Sequence, residues 1–237
     1  MAGTYVGYMR VVLLHALPLT GAMWTDQLAW LPGSTLAPTL YDYGDSISGW
    51  AESLLLEAGQ DDLVVVGASV GGFCALEMAR RAPDQVSAVV LVGSKAGVRR
   101  DDPAREHALK VLANDGFEAA WQKFWAPLFG PKTDRRVREQ AKVIASSVDA
   151  NDLARGVRAF FDRDDLRDFA RTWNRPVHVI SGEHDRTPTS GTSEAVAAEA
   201  VQGSFHLIRD CGHYVNLEQP AVFRSVMSGV LVQFAAL

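Results

Sequence analysis

The sequence predicts an α/β fold in which an open, mostly parallel sheet is flanked by helices. Short apolar runs rich in β-branched residues alternate with helical patterns along most of the chain. The runs are continuously apolar, which is typical of strands that are buried on both faces of a parallel sheet. Between Asp101 and Trp173, helical patterns follow one another without a strand. This break in the alternation predicts a helical insertion over one edge of the sheet.

The strands are predicted from apolar runs that are bounded by Gly, Pro or Asp. Five such runs occur in chain order: Val11–His15, Leu63–Gly67, Val86–Val92, Val177–Ser181 and Phe205–Ile208. A sixth run, Ser34–Leu40, also has a strand pattern, although Pro38 interrupts it near its end. The connections between parallel strands are expected to be right-handed.

Two groups of helices are predicted from apolar residues that recur at helical spacing. The first group alternates with the strands and comprises Ser48–Ala58, Gly72–Ala82, Ser193–Ala200 and Ala221–Phe234. The second group lies in the stretch without strands and comprises Pro103–Ala113, Phe117–Phe129, Thr133–Ser147 and Asn151–Phe161. We therefore predict an α/β core formed by residues 1–100 and 174–237, and a helical cap, or lid, formed by residues 101–173.

Composition restricts the partners and the compartment. The 237 residues suffice for one large α/β domain or two small ones, with a substantial core. The net charge of −5 is spread along the chain without a basic stretch, so no nucleic-acid partner is expected. No apolar run approaches the roughly 20 residues of a membrane helix, and the N-terminus lacks the pattern of a signal peptide. Cys74 and Cys211 are expected to be buried or bystander thiols and not a disulfide framework. The sequence thus predicts a cytoplasmic protein without a membrane partner.

The segment Gly67-Ala68-Ser69-Val70-Gly71 places a serine between two glycines, where a predicted strand meets a predicted helix. In a nucleophile elbow the chain turns so sharply at this point that the serine protrudes, and the glycines avoid Cβ collisions. Such a pattern also arises by chance, and a glycine-rich turn can cradle a phosphate. The segment nevertheless lacks both Gly-Lys-Ser/Thr and the Gly-x-Gly-x-x-Gly spacing of phosphate-binding loops.

A serine nucleophile needs a base and a group that orients the base. Asp185 and His213 each lie just past the C-terminal end of a predicted strand, where open α/β sheets place their functional loops. They follow Ser69 in the order acid and then base, as expected for a serine on a nucleophile elbow. Glu183 and His184 compete for the same roles. Asp185 is preferred because it lies further past its strand, and His213 because it follows a glycine in its own loop.

The substrate oxygen becomes negatively charged during nucleophilic attack, and two backbone N–H groups usually stabilise it. We predict that Val70, directly after the serine, provides one donor. Leu17, in the loop after the first strand, is the candidate for the other donor, because Pro18 has no N–H and Ala16 faces the strand end. His15 in the same loop is either a second base or a residue that braces the loop.

Four segments make the chain similar to the α/β-hydrolase superfamily along nearly its whole length: VVLLHALPLTGAMW, LVVVGASVGGFCALEMARRAPDQVSAVVLVGS, RPVHVISGEHDRTP and IRDCGHYVNLEQP. Within this superfamily the chain most resembles small esterases and the 3-oxoadipate enol-lactonase-like branch. The resemblance implies the α/β-hydrolase fold with a helical cap, and a triad of Ser69, Asp185 and His213. Haloalkane dehalogenases and epoxide hydrolases of this fold use an aspartate at the elbow, so Ser69 argues against both.

The chain departs from most relatives in one motif near the proposed oxyanion site. It has His15-Ala16 where they have His-Gly, which indicates an oxyanion loop that is stiffer or differently shaped. The substrate pocket is expected to be lined by apolar and aromatic residues of the cap and of the oxyanion loop. The candidates are Met23, Trp24, Trp121, Trp125 and Phe160. Arginines of the cap form either a solvated face or a site for an anionic substrate, and they include Arg155, Arg158 and Arg163.

We therefore expect a serine esterase or lactonase that acts on a small-molecule ester or lactone through an acyl-enzyme. The same groups also suit a thioesterase, a C–C hydrolase or an acyltransferase. A binding protein or sensor that keeps the pocket without turnover is the alternative from another class. No cofactor is expected, and a metal site built from His184 and His213 lacks a recognised ligand spacing. The chain is expected to be a monomer or a homodimer.

Overall fold

The computed structural model describes residues 9–98 and 101–234. The remaining parts of the predicted core, residues 1–8, 99–100 and 235–237, lie outside the described residues. Five strands form one sheet in the order β1 to β5, and every neighbouring pair is parallel. The strands are β1 (Met9–Leu14), β2 (Asp62–Ala68), β3 (Val86–Val92), β4 (Pro176–Gly182) and β5 (Gln202–Ile208). The parallel α/β sheet predicted from the apolar runs is confirmed.

The register of the sheet places the C-terminal ends of all five strands at one edge. Leu14 lies beside Gly67, and Gly67 lies beside Leu91. Val92 lies beside Ile180 in the same way. Because β2 and β3 are apolar and almost wholly buried, they anchor this edge in the core. The loops that follow the strands therefore meet above the same edge of the sheet.

The predicted strand Ser34–Leu40 is wrong. Only Leu36 pairs with β1, through hydrogen bonds from Leu13 N–H to Leu36 O (2.8 Å) and from Leu36 N–H to Val11 O (2.9 Å). Pro38 has no N–H with which to extend the pairing. The chain instead forms a 3₁₀ turn at Leu40–Tyr43.

The first half of the chain adds three helices: α1 (Thr25–Leu28), α2 (Ile47–Ala58) and α3 (Val70–Arg81). Helix α2 begins after Ser46, whose hydroxyl accepts a hydrogen bond from Gly49 N–H at 3.1 Å. Helix α3 begins directly after Ser69 and is buried along most of its length. It packs against α2, β2 and β3. The serine is therefore held between a central strand and a buried helix.

Residues 101–173 form the helical segment between β3 and β4. Its helices are α4 (Asp102–Asn114), α5 (Gly116–Ala120), α6 (Arg135–Ser146), α7 (Ala150–Phe161) and α8 (Arg167–Thr172). No strand occurs between residues 101 and 173, as predicted. The single helix predicted at Phe117–Phe129 is wrong, because α5 continues into a π-helical turn at Trp121–Trp125 and then a 3₁₀ turn at Ala126–Leu128.

The last part of the chain completes the sheet and its helices. Helix α9 (Ser190–Glu199) packs against β4 and β5. Beyond β5 follow the short helix α10 (Val215–Glu218) and the helix α11 (Pro220–Leu231). Within residues 9–98 and 101–234, the helices are all too short or too polar to cross a membrane.

Candidate active site

Ser69 lies at the turn between β2 and α3 with a backbone that non-glycine residues rarely adopt. Its φ is +51° and its ψ is −114°, a conformation that costs about 1–3 kcal/mol unless its surroundings impose it. Two hydrogen bonds do so. Ser69 N–H donates to Val92 O at 2.9 Å, and the Ser94 hydroxyl donates to Ser69 O at 2.7 Å. The strained turn is thus fixed from the neighbouring strand β3.

The glycines on either side of Ser69 permit close contacts between backbone segments. A Cβ atom on Gly67 would lie 2.2 Å from Gly71 O, and one on Gly71 would lie 2.5 Å from Leu14 O. A Cβ on Gly72 would lie 2.3 Å from the Ser94 hydroxyl oxygen. Real Cβ atoms essentially never approach so closely. The sharp turn at Ser69 therefore requires glycine at these positions.

Asp185 and His213 form a buried hydrogen-bonded pair at the ends of β4 and β5. His213 Nδ1 lies 2.8 Å from Asp185 Oδ2, and Asp185 Oδ1 accepts a hydrogen bond from Thr187 N–H at 2.9 Å. A carboxylate can only accept, so Nδ1 carries a proton, and in the neutral imidazole Nε2 then has the lone pair. Within the part of the chain that the structure describes, no hydrogen bond joins the Ser69 hydroxyl to His213. His213 Nε2 can accept the proton of Ser69 when a bound substrate brings the serine hydroxyl within hydrogen-bonding distance.

Gly93, directly after β3, makes room for this pair, and the sequence pattern did not predict its role. Its φ is +53°, and a Cβ there would lie 2.8 Å from His213 O, 3.0 Å from Asp185 Oδ2 and 3.1 Å from His213 Nδ1. Gly93 N–H donates to Ile180 O at 2.9 Å, which fixes the glycine to β4. The only signal in the sequence is a glycine directly after a predicted strand, and it does not reveal which residues lie beside it.

Glu218 is a second residue that the sequence pattern did not predict. Its Oε2 accepts hydrogen bonds from Gly130 N–H at 2.8 Å and Gly212 N–H at 3.0 Å, and from the Thr133 hydroxyl. Its Oε1 accepts one from Tyr214 N–H at 2.9 Å. Gly130 and Thr133 belong to the helical segment 101–173, whereas the other two donors flank His213. Glu218 therefore connects the helical segment to the loop that carries the histidine.

The backbone N–H groups of Leu17 and Val70 are available as donors. Val70 is the first residue of α3, so its N–H has no acceptor within the helix. Neither N–H is paired in the described part of the chain. The Leu17 carbonyl accepts a hydrogen bond from the Tyr214 hydroxyl at 3.1 Å, which holds the loop against the loop of His213.

His15 braces the loop that carries Leu17. Leu40 N–H donates to His15 Nε2 at 2.8 Å, and His15 Nδ1 lies 3.2 Å from Ala16 O. The ring is fully buried and packs against the ring of Tyr41 at 4.9 Å. Burial lowers the pKa of His15 from 6.5 to about 4, although the bond to Ala16 O opposes that shift. With both nitrogens engaged and the ring neutral, His15 acts as a brace and not as a second base.

A cavity of about 300 Å³ brings the reactive groups together. Ser69, His213 and Leu17 lie on its wall, and Asp185 lies behind His213. Most of the remaining wall comes from the helical segment 101–173. Those residues are Ala104, His107, Ala108, Leu112, Phe124, Trp125, Leu128, Val157, Phe160 and Phe161. Both Trp125 and Phe160, predicted to bind substrate, are among them.

The sequence profile described as the alpha/beta hydrolase family matches residues 11–226, nearly the whole chain. The chain belongs to this family. The hydrolase is 27% identical to a pimeloyl-[acyl-carrier protein] methyl ester esterase of Aromatoleum aromaticum, over 89% of this chain and 93% of the relative. The family resemblance inferred from the sequence motifs is confirmed.

Solved structures agree with this assignment at the level of the fold. The hydrolase superimposes on a thermophilic esterase from Thermogutta terrifontis with a TM-score of 0.87 and 22% identity, covering 96% of this chain and 91% of that chain. It superimposes on the enol-lactonase from Burkholderia xenovorans LB400 with a TM-score of 0.83 and 20% identity, covering 95% and 92%. The predicted α/β-hydrolase fold is confirmed.

Three residues predicted to bind substrate do not line this cavity of the hydrolase. Met23 is buried, and its sulfur accepts a hydrogen bond from Ala16 N–H at 3.3 Å. Trp24 is fully buried and packs on the ring of Phe223 at 5.9 Å. Trp121 is buried between rings of the helical segment, with centroids 6.1 Å from Phe117 and from Phe129.

The competing candidates Glu183 and His184 lie outside the cavity of the hydrolase. His184 Nε2 is 3.9 Å from Glu183 Oε2 and 4.0 Å from Asp210 Oδ1. Both side chains are more than a third exposed, and Asp210 also pairs with Lys132 at 2.9 Å. The pair that adjoins the cavity is the one between Asp185 and His213.

Proposed function

We propose that this hydrolase cleaves a carboxylic ester or lactone through an acyl-enzyme. Ser69 is the nucleophile, His213 carries the proton and Asp185 orients the imidazole. The observation that carries the proposal is the buried hydrogen bond between Asp185 and His213, next to a cavity that Ser69 also lines. Membership of the alpha/beta hydrolase family, together with relatives named as esterase and enol-lactonase, supports it.

Acylation begins when the Ser69 oxygen bonds to the carbonyl carbon of the substrate while its proton passes to His213 Nε2. The carbonyl oxygen becomes an oxyanion, to which the N–H groups of Leu17 and Val70 donate. Collapse of this intermediate breaks the bond to the alkoxy oxygen. That oxygen takes the proton from His213 and leaves as the alcohol, or stays attached to the acyl chain when the substrate is a lactone.

Deacylation repeats these steps with water. His213 accepts a proton from water as the water oxygen bonds to the acyl carbon, and the second oxyanion uses the same donors. The bond to the Ser69 oxygen then breaks. Ser69 regains its proton from His213, and the product leaves as a carboxylic acid. Asp185 stabilises the imidazolium that forms in both halves of the reaction.

We further propose that the helical segment 101–173 is the lid over Ser69, with residues 1–100 and 174–237 as the core. The segment supplies most of the cavity wall, and Glu218 and the His213 backbone bind it to the core. A cytoplasmic location, a monomeric or homodimeric state and the absence of a nucleic-acid partner stay predictions.

The test is hydrolysis of p-nitrophenyl butyrate by the wild-type protein and by Ser69→Ala. We expect Ser69→Ala to lose at least about four orders of magnitude in kcat, since the nucleophile is removed. A p-nitrophenyl phosphonate should add one covalent mass increment to the wild type and none to the variant. Equal rates with both proteins would contradict the proposal and favour a binding protein. A screen with thioester and C–C substrates under the same conditions checks the related reactions.

A further inference from the structure

Apart from the reactive groups, the wall of the cavity beside Ser69 is apolar at its buried positions. Leu112 and Val157, on α4 and α7, are 8% and 4% exposed, and Trp125 is 6% exposed. Phe160 and Phe161 extend the same surface with rings 5.2 Å apart. An acyl group in this space meets aliphatic and aromatic side chains. Besides Ser69, His213 and the indole N–H of Trp125, the hydrogen-bonding side chains on the described wall are those of His107 and Thr187, and both residues are exposed.

Two arginines of the helical segment, Arg155 and Arg163, make their contacts outside the cavity. The guanidinium of Arg155 pairs with Asp152, and its Nε lies 3.5 Å from Asp45. Arg163 is buried behind the wall, with its guanidinium carbon 3.9 Å from the centroid of the Phe160 ring and 4.4 Å from that of Phe73. Neither arginine lines the cavity. Among the residues that the structure describes, the wall therefore has no arginine or lysine on which the anionic-substrate alternative could depend.

His107 is the one ionisable group on the described cavity wall besides His213. It is exposed, and its ring meets the ring of Phe124 edge-on at 5.8 Å. A group in water at the rim cannot neutralise a carboxylate that lies against Leu112 and Val157. Moving an unpaired carboxylate from water to such a surface is strongly unfavourable.

The size of the cavity limits the acyl group as well. At about 300 Å³, it lies at the small end of the range of ligand pockets, which is roughly 300–1,000 Å³. A short or medium aliphatic chain or a single ring fits this space, whereas a long fatty acyl chain has to extend into solvent.

We propose that the acyl group of the substrate is uncharged and apolar, and that the enzyme rejects acyl chains that carry a second carboxylate. This inference rests on the proposed function and specifies the substrate of the same site. It predicts selectivity between two esters that react by the same chemistry and differ only at the distant end of the acyl chain.

The experiment compares methyl hexanoate with monomethyl adipate, in which a carboxylate replaces the terminal methyl group. We expect kcat/KM of the wild-type protein to be at least about 100-fold higher for methyl hexanoate, because only monomethyl adipate must place an unpaired carboxylate against the apolar wall. Ser69→Ala gives the blank for both esters. Similar kcat/KM values, or a preference for monomethyl adipate, would overturn the inference while leaving the esterase proposal in place.

A charge introduced into the wall tests the cause of the selectivity. We expect Leu112→Arg to shift the ratio of kcat/KM by about tenfold or more toward monomethyl adipate, since a cation then faces the carboxylate. Leu112→Met is the matched control, because it keeps an apolar side chain, and the ratio should stay at the wild-type value. Val157→Arg repeats the test from α7 if Leu112→Arg does not fold. A ratio that neither arginine variant moves would contradict the inference.

Failure of the two proposals is distinguishable. If neither ester is hydrolysed faster than by Ser69→Ala, and p-nitrophenyl butyrate is also inert, the proposed function fails and the inference fails with it. If p-nitrophenyl butyrate is hydrolysed and the two methyl esters are cleaved equally, only the inference on the acyl group fails.

Discussion

The reactive groups and the cavity wall are held in place by different kinds of contact. Around Ser69, Asp185 and His213, backbone segments touch one another directly. A Cβ on Gly67 would lie 2.2 Å from Gly71 O, and one on Gly182 would lie 2.0 Å from Gly212 O. In the helical segment 101–173, the rings contact one another through side chains, and backbone meets backbone where Leu128 and Gly130 approach Gly212 and His213.

The rings of the helical segment illustrate the second kind of contact. Phe117, Trp121 and Phe129 follow one another with centroids 6.1 Å apart, and Phe124 and Trp125 are separated by 6.2 Å. Backbone contacts tolerate no added atom, whereas side-chain contacts can repack. The core is thus built for fixed positions of the reacting atoms, and the helical segment for a wall whose shape can vary. Substitutions in both regions test this difference.

Asp185→Asn is expected to have the largest effect of all. It should lower kcat and leave the protein folded. The amide can donate a hydrogen bond to Nδ1, so the imidazole is held with its proton on the wrong nitrogen. A loss of about four orders of magnitude in kcat is expected. Asp168→Asn, at an almost fully exposed side chain of the helical segment, is the matched control and should keep wild-type kcat. Circular dichroism should show both variants folded. A loss below tenfold for Asp185→Asn would contradict the role assigned to the pair.

Gly67→Ala should have the largest effect on stability. The added Cβ would lie 2.2 Å from Gly71 O and 2.5 Å from Gly72 N, and neither backbone atom can move without disturbing the turn at Ser69. We expect a loss of about 4 kcal/mol or more in the free energy of unfolding, measured by urea denaturation.

Gly116→Ala is the counterpart of that substitution in the helical segment. Gly116 has a φ of +79°, but nothing lies within 4 Å of its Cβ position. Only backbone strain of about 1 kcal/mol is therefore expected. Equal losses for Gly67→Ala and Gly116→Ala would remove the distinction between the two regions.

The sequence predicts the core better than the helical segment. The reason is again that backbone arrangement determines the core, whereas side-chain direction determines the cavity wall. Buried strands of a parallel sheet have continuous β-branched runs, so all five strands were located to within a few residues. We could predict Ser69, Asp185 and His213 because each lies just past the end of a predicted strand. They also follow one another in the order expected for a serine on a nucleophile elbow. Gly93 escaped notice, because its closeness to the pair depends on β3 lying next to β4, and a single sequence does not reveal that neighbour.

In the helical segment, side-chain direction decides which residues face the cavity. Trp121 and Trp125 are four residues apart and would share one face of a regular α-helix. The structure has a π-helical turn at Trp121–Trp125. Trp125 lines the cavity, while Trp121 packs against other rings. No pattern of apolar residues signals such a turn.

The prediction for His15, in the core, concerns how the free energy of unfolding depends on pH. The expected effect is of intermediate size. Burial lowers its pKa in the folded protein from 6.5 to about 4. Between these values the unfolded chain binds a proton that the folded chain does not, so stability falls as pH falls from about 6.5 to about 4 and then levels off. His15 should account for a loss of about 2 kcal/mol between about pH 7.5 and about pH 5.

His15→Gln isolates this contribution. Burial also lowers the pKa of His178 and His206, and these residues act in the same direction in both proteins. The free energy of unfolding of His15→Gln is expected to be lower at about pH 7.5, because the brace to Leu40 is weakened, but to depend less on pH than that of the wild type. Parallel pH curves for the two proteins would show that His15 is not buried in its neutral form.

Substitutions of Arg163 are expected to have the smallest effect on the free energy of unfolding. They test how firmly the helical segment is fixed to the core. Its guanidinium lies between the rings of Phe73, in α3 of the core, and Phe160, on the cavity wall. Burial lowers the pKa of Arg163 to about 10, and the charge of Asp165 opposes this shift. Stacking on two rings contributes about 2 kcal/mol when the cation is desolvated, and the desolvation opposes it.

Arg163→Met keeps the apolar stem and removes the charge, so its free energy of unfolding should stay within about 1 kcal/mol of the wild type. Arg163→Lys should be less stable than Arg163→Met by about 1 kcal/mol, because an ammonium is more strongly hydrated and cannot stack flat on a ring. Urea denaturation measures both. A loss above about 3 kcal/mol in Arg163→Met would mean that the cation fixes the segment to the core as firmly as the backbone contacts fix Ser69. The cavity wall would then be as rigid as the reactive groups that it surrounds.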